Sequence, residues 1–155
     1  MIQKNPQTEE NRPERPNGIA YLIGRLDHVL NRRIRDSLAP FGITAAQYTA
    51  LSVFHSHGQL SNAQLAERSM VSPQSANEMV KIMEKRGWIS RRSAQAHGRI
   101  IHISLSREGE DLLVKCDAAV AKVEQTMLTE LSLNDYGPLH TQLRTMVRSL
   151  SVMTL

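Results

Sequence analysis

Several things are scarce in this chain of 155 residues, and each absence removes a class of function. It has one cysteine, Cys116, so no internal disulfide forms, and a reducing cytoplasm fits. No run of about 18 apolar residues occurs, which leaves nothing to span a membrane. The opening residues, MIQKNPQTEENRPERPNG, lack the apolar segment of a secretion signal. There is no Gly-rich phosphate loop, no nucleophile motif and no carboxylate pair, so the chain does not read as an enzyme and calls for no cofactor. His55 and His57 stand two apart on a predicted helix and point to different faces, and no Cys/His cluster has ligand spacing. No metal site is expected. Acid is missing from one stretch in particular. From Ile89 to Arg107 there are four arginines (Arg91, Arg92, Arg99 and Arg107) and no Asp or Glu.

What is present suits a small globular protein. Apolar residues make up 41% of the chain, enough for a real core, and the length suggests one domain with appendages. The net charge is +4 and the pI near 9.6, but the distribution says more. After the acid-free stretch, from Glu108 onward, seven acids face four bases. A basic segment followed by an acidic one suggests one surface turned toward a polyanion and another turned away.

Residues 1–17 carry three prolines and little apolar surface, and are expected to form a mobile tail. From Ile19 a helical stripe begins: Leu22, Ile23, Leu26, Val29, Leu30, Ile34 and Leu38 recur at three- and four-residue steps. Arg25, Arg32, Arg33 and Arg35 fall largely off it, and Pro40 and Gly42 close the helix. Thr44 with Gln47 forms a capping box for a second helix ending at Gly58, and Ser61 with Gln64 repeats the device for a third. Ser72-Pro73 supplies an N-cap and N1 proline for a fourth helix that stops before Gly87. The tight link Met70-Val71-Ser72 makes the third and fourth helices a helix-turn-helix.

In the fourth helix Ala76, Met79, Val80 and Met83 form the inner stripe, leaving Gln74, Ser75, Asn77, Glu78 and Lys81 outside. The bland reading is an ordinary solvated face. A basic hairpin behind it changes the balance. Residues 88–92 and 100–105 read as strands, with Ile101, Ile103 and Leu105 on one face and Arg99 at the return edge of the turn. A projecting arginine there suits a narrow minor groove. Helices followed by a basic hairpin make a mostly α, winged helix-turn-helix architecture, a module that lays one helix in a DNA major groove. The candidate DNA-contacting residues are Ser72, Gln74, Ser75, Asn77, Lys81, Arg91, Arg92 and Arg99.

Ser106 then caps a long helix whose stripe runs from Leu112 and Leu113 through Cys116, Ala119, Val120, Val123 and Met127 to Leu131. Ser132 with Asp135 resembles another capping box. Gly137-Pro138 follows closely, so a restart at Pro138 or a kink is expected. The final stripe is Leu139, Leu143, Met146, Val147 and Leu150. The resulting division is a tail (1–17), a dimerisation helix (18–42), a winged helix-turn-helix (43–106) and C-terminal dimerisation helices (107–155). Three long apolar stripes exceed what a module of about sixty residues covers, so a two-fold homodimer is expected.

From about Ile19 to Leu150 the chain resembles the MarR family of bacterial transcription regulators. The specific part is the block SxxQLAERSMVSPQSANEMVKIMEKRGWISR at residues 61–91, with the wing leading into Leu105-Ser106-Arg107-Glu108-Gly109. The resemblance implies a homodimer whose first and last helices interlock, leaving two winged modules side by side, and a two-fold axis makes a near-palindromic operator the expectation. It implies regulation by a small aromatic or phenolic effector or by cysteine oxidation; a repressor is expected, with an activator as the alternative. It makes Pro73 to Arg86 the recognition helix and Arg99 the wing arginine. Family wings usually read Asp-x-Arg, and here His97 holds the acid's position, which leaves Arg99 less firmly held or its grip on DNA pH-sensitive.

Family effectors lie between the dimer helices and the winged module, where Tyr21, Arg25, His28 and His55 supply ring-stacking and carboxylate-binding groups. The bland alternative makes Tyr21 core and the others solvated or paired. Cys116 lies on an apolar stripe, whereas the family's peroxide sensors carry their reactive cysteine near the start of the first helix. Cys116 therefore reads as a buried structural thiol, with a redox-responsive regulator acting through it as an alternative, beside a winged helix used for protein association without DNA.

Overall fold

The structure is a computed structural model that describes residues 17–93 and 101–151. Of the expected tail only Asn17 falls within them, and the wing tip with His97 and Arg99 lies outside the described residues.

The described elements are α1 (Ile19–Leu38), a 3-10 turn (Ala39–Phe41), α2 (Ala45–His57), α3 (Asn62–Arg68), α4 (Pro73–Lys85), β1 (Ile89–Ser93), β2 (Ile101–Leu105), α5 (Arg107–Leu128) and α6 (Leu133–Ser151). Local chemistry accounts for most boundaries. Thr44 and Ser61 each accept a bond from the amide three residues on, while Gln47 and Gln64 reach back to the cap amides. Each such cap contributes about 1 kcal/mol. Gly42 closes the 3-10 turn at φ 66°.

Two helices end on the same motif with different residues. After α4, Gly87 adopts φ 74° while Trp88 N donates to the Met83 carbonyl and Gly87 N to that of Glu84. After α3, Val71 N donates to Ala66 and Met70 N to Glu67 in the same pattern. There the left-handed position, φ 54°, is held by Met70, the one non-glycine residue with positive φ among those described.

The core is a single cluster joining the winged module to the long helices. Leu38 of α1, Leu51 and Phe54 of α2, Leu65 of α3, Met83 and Val80 of α4 and Cys116 of α5 are sealed from solvent. Each large apolar side chain contributes roughly 1.5–3 kcal/mol. The expected inner stripe of α4 is buried throughout: Ala76, Met79, Val80 and Met83. The strands pair antiparallel with Ile89 opposite Leu105 and Arg91 opposite Ile103. Leu60 adds a short bridge to the other side of β2, exchanging two backbone bonds with Ile103.

Two expectations near α6 need correction. Asp135 does not complete a capping box: Ser132 Oγ accepts from Asn134 N instead, at 3.4 Å. Nor does the helix restart at Pro138, since α6 runs unbroken from Leu133 to Ser151 with that proline inside it. Gly137 before it has no Cβ to meet the ring. The one backbone bond forgone is to the Asn134 carbonyl, and Asn134 is exposed. No helix among the described residues is long and apolar enough to cross a membrane.

Candidate nucleic-acid interface

The inner stripe of α4 fixes which side faces out. At about 100° per residue, the meridian opposite Ala76, Met79, Val80 and Met83 carries Gln74, Glu78, Lys81 and Lys85. All four are exposed, with Ser75 and Asn77 beside them. Ser72 caps the helix, accepting from Ser75 N at 3.1 Å and donating to Ser75 Oγ at 2.9 Å. Its hydroxyl is thereby committed to the turn. Gln74 Nε2 donates to Glu78 Oε1 at 3.3 Å. Asn62 of α3 donates to the Pro73 carbonyl at 3.3 Å, tying the two helices at the turn.

The hairpin register separates two arginines that look equivalent in sequence. Cross-strand partners share a face, so Arg91 lies on the side of buried Ile103, and Arg92 lies with His102 on the other. Arg91 turns back to α4, its Nε 2.9 Å from Glu84 Oε2. That approach is a charge contact whose direction does not satisfy hydrogen-bond geometry. Arg92 is exposed. Of the strand arginines expected at a DNA surface, one is thus engaged within the protein and one is free to reach outward. The alternation Ile101, Ile103, Leu105 places Ile103 in the core, while Leu105 is partly buried and Ile101 exposed.

The end of α4 is pinned by a residue that the sequence reading left unassigned. Arg86 Nη1 donates to the Gly42 carbonyl at 2.9 Å, and its guanidinium lies 5.1 Å from the centre of the Trp88 ring. Nothing in the local pattern around Arg86 signals this partner, which is 44 positions away.

Three of the four residues expected around an effector come together. Tyr21, Arg25 and His28 line a shallow groove along α1, and His55 does not border it. A larger hollow of about 600 Å³ lies between α1 and the start of α2, bordered by His28, Asn31, Arg32, Arg35 and Thr44 among others. Arg32 and Arg35 were readable only as residues off the apolar stripe. Nearby, Tyr48 of α2 donates to Asp117 Oδ1 of α5 at 2.8 Å. Burial and that bond push the Tyr48 hydroxyl up to about 12. Burial, then the Asp117 charge, also pushes the Cys116 thiol up. A buried thiol held protonated is poorly suited to oxidant sensing, which argues against the redox alternative.

The comparisons with known proteins agree with this geometry. Residues 43–101 match the model of the MarR family. The HTH-type transcriptional repressor Rv2887 of Mycobacterium tuberculosis is 27% identical over 114 residues, which span 74% of this chain and 82% of that protein. Its crystal structure in complex with salicylic acid superposes with a TM-score of 0.66 at 25% identity, covering 87% of this chain and 97% of that one. A mutant MarR from E. coli, complexed with operator DNA, superposes with a TM-score of 0.73 at 20% identity, covering 83% and 92%. The signature block and the helix-turn-helix lie inside residues 43–101, and by that match this part of the chain is a MarR-family domain.

Proposed function

We propose that this protein is a sequence-specific, double-stranded DNA-binding transcriptional repressor that acts in the bacterial cytoplasm as a homodimer. The observation that carries the reading is the outer face of α4. Gln74, Ser75, Asn77 and Lys81 stand exposed on a helix whose opposite side is locked into the core. Amide side chains there suit paired bonds to adenine, and Lys81 suits phosphate. Arg92 adds charge from the strand, with Arg99 assigned to the wing by sequence. The relative seen with operator DNA, and the relative named a repressor, support the assignment.

The dimer is supported by apolar surface without a partner. No residue of α6 is buried, although Leu143, Met146, Val147 and Leu150 repeat along it. Ile19, Leu22, Ile23, Leu26 and Val29 are likewise exposed on α1, and a groove of about 620 Å³ runs between α1 and α5. A two-fold pair covering these faces sets two copies of α4 about one helical turn of DNA apart, near 10 base pairs, on a near-palindrome. The effector reading rests on Tyr21, Arg25 and His28 and on Rv2887's salicylic acid complex. A small aromatic acid held there weakens DNA binding.

Selection of bound duplexes from a random library is the test. A near-palindromic consensus with half-sites about 10 base pairs apart is expected, together with a dimer by light scattering. A stable monomer at micromolar concentration that enriches no sequence would sink the proposal.

A further inference from the structure

We infer that Glu78 reads a cytosine in each half-site, and that its charge lowers the hold on every other sequence. The inference rests on the DNA-binding reading above. Glu78 lies on the outermost meridian of α4, one turn past Gln74, and is exposed. A carboxylate on a face turned toward phosphates opposes binding to any duplex. The two acids of α4 differ in this respect. Glu84 is neutralised by Arg91 at 2.9 Å, whereas the ion pairs among the described residues, Arg35–Asp36 and Arg91–Glu84, leave Glu78 out. Its neighbour is instead an amide: Gln74 donates to Oε1 at 3.3 Å, which orients the carboxylate and leaves Oε2 free.

An unneutralised acceptor on a recognition face is satisfied by a donor on the groove floor. In the major groove the donors are the amino groups of cytosine N4 and adenine N6. Beside N6 lies the adenine N7 lone pair, which repels a carboxylate oxygen. Cytosine N4 has a C–H on that side and no such penalty. The acid therefore favours cytosine. On a sequence offering no donor, its charge and desolvation go uncompensated, so it discriminates against random DNA as well as for the site.

The experiment compares the full chain with Glu78→Gln and Glu78→Ala in duplex selection, followed by titration of random duplex at low salt. Glu78 is exposed and its one side-chain hydrogen bond among the described residues is to Gln74, so both variants should melt with the wild type. In wild-type selections each half-site should hold one fixed cytosine. Glu78→Ala should lose preference at that position alone. Glu78→Gln should shift it toward adenine, whose N6 and N7 suit an amide. Both variants should bind random duplex about three- to ten-fold more tightly, the scale of removing one repulsive charge beside phosphates. An unchanged consensus in both variants overturns the assignment of Glu78 alone. A wild-type chain that enriches no consensus overturns the DNA-reading function itself, and this assignment with it.

Discussion

Replacing Gly109 with alanine sets two effects of opposite sign against each other. Gly109 sits in the first turn of α5, where alanine is the better helix former by about 1 kcal/mol. The structure opposes that gain. A Cβ at Gly109 would lie 2.0 Å from the Trp88 carbonyl oxygen and 3.0 Å from its carbon, both backbone atoms. Relief requires more than an ångström of movement, and the surroundings resist it. Ser106 N donates to that same oxygen at 3.0 Å, Ser106 Oγ accepts from Gly109 N at 3.0 Å, and the hydroxyl donates to the Gly87 carbonyl. Overpacking costs about 1–3 kcal/mol or more against atoms that cannot rotate away, and a displaced cap adds about 1 kcal/mol. Set against the helix-propensity gain, the expected net loss is roughly 1–3 kcal/mol, which for a chain of this size lowers Tm by about 2–12 °C. Thermal melts by circular dichroism, with chemical denaturation to check that the m-value is unchanged, measure it. A Gly109→Ala protein melting at or above the wild type would show that propensity wins and that α5 does not press on the base of the hairpin as described.

Met70→Gly should do the reverse. A left-handed side chain costs roughly 1–2 kcal/mol, glycine's extra unfolded freedom returns roughly 0.5–1 kcal/mol, and Tm should rise by about 1–4 °C. Met70 is 89% exposed, so no burial is lost, and a fall in Tm would contradict the strain. Tyr48 ionises only near 12 in the fold against an ordinary value near 10, so its contribution is complete below pH 10 and fades as pH rises toward 12. Across that window the wild type should lose Tm faster than Tyr48→Phe, and parallel curves would refute the upward shift that burial and the Asp117 bond together produce. Arg91→Ala should lower stability by about 0.2–1 kcal/mol through loss of the Glu84 contact, with little change in DNA affinity. Arg92→Ala should leave Tm alone and weaken all duplexes while reducing the salt slope by about one; exchanged phenotypes would invert the hairpin's faces.

Features governed by three or four neighbouring residues were legible in the sequence. Thr44 with Gln47, Ser61 with Gln64, and Ser72 with Pro73 mark three helix starts within a residue, because a cap is chemistry between adjacent turns. The buried side of α4 followed from period alone, and its outer face with it. What was not legible depends on distance. Arg91 and Arg92 differ only through pairing across the hairpin, which puts Arg91 beside Ile103. Pro138 reads as a restart or a kink because its local cost is real, yet α6 runs through it without a restart, with Gly137 before it and Asn134 exposed. The left-handed backbone of Met70 was hidden because the signal for such a position is glycine, which marks it correctly at Gly87 and not after α3. Three expected effector residues share a groove because they lie on one helix, while His55, on another, shares only its chemistry with them.

The least legible feature is the one that joins the parts. The turn after α4 is held from two directions. From one side Arg86 reaches the Gly42 carbonyl at the corner between α1 and α2, and spans Trp88 on the way. From the other, Ser106 bonds the carbonyls of both Gly87 and Trp88, and Gly109 lets α5 lie directly on the latter. With thirteen residues, α4 is about 20 Å long. A shift of one ångström at this end therefore tilts it by about three degrees, or moves it bodily if the far end follows. The far end is itself tied, through Asn62 on the Pro73 carbonyl and the closing turn at Met70. Both ends of α4 are thus fastened to neighbouring elements, so a change in spacing between the long helices should be carried to its outer face. By the same connection, Gly109→Ala should impair operator binding even at temperatures where the protein remains folded.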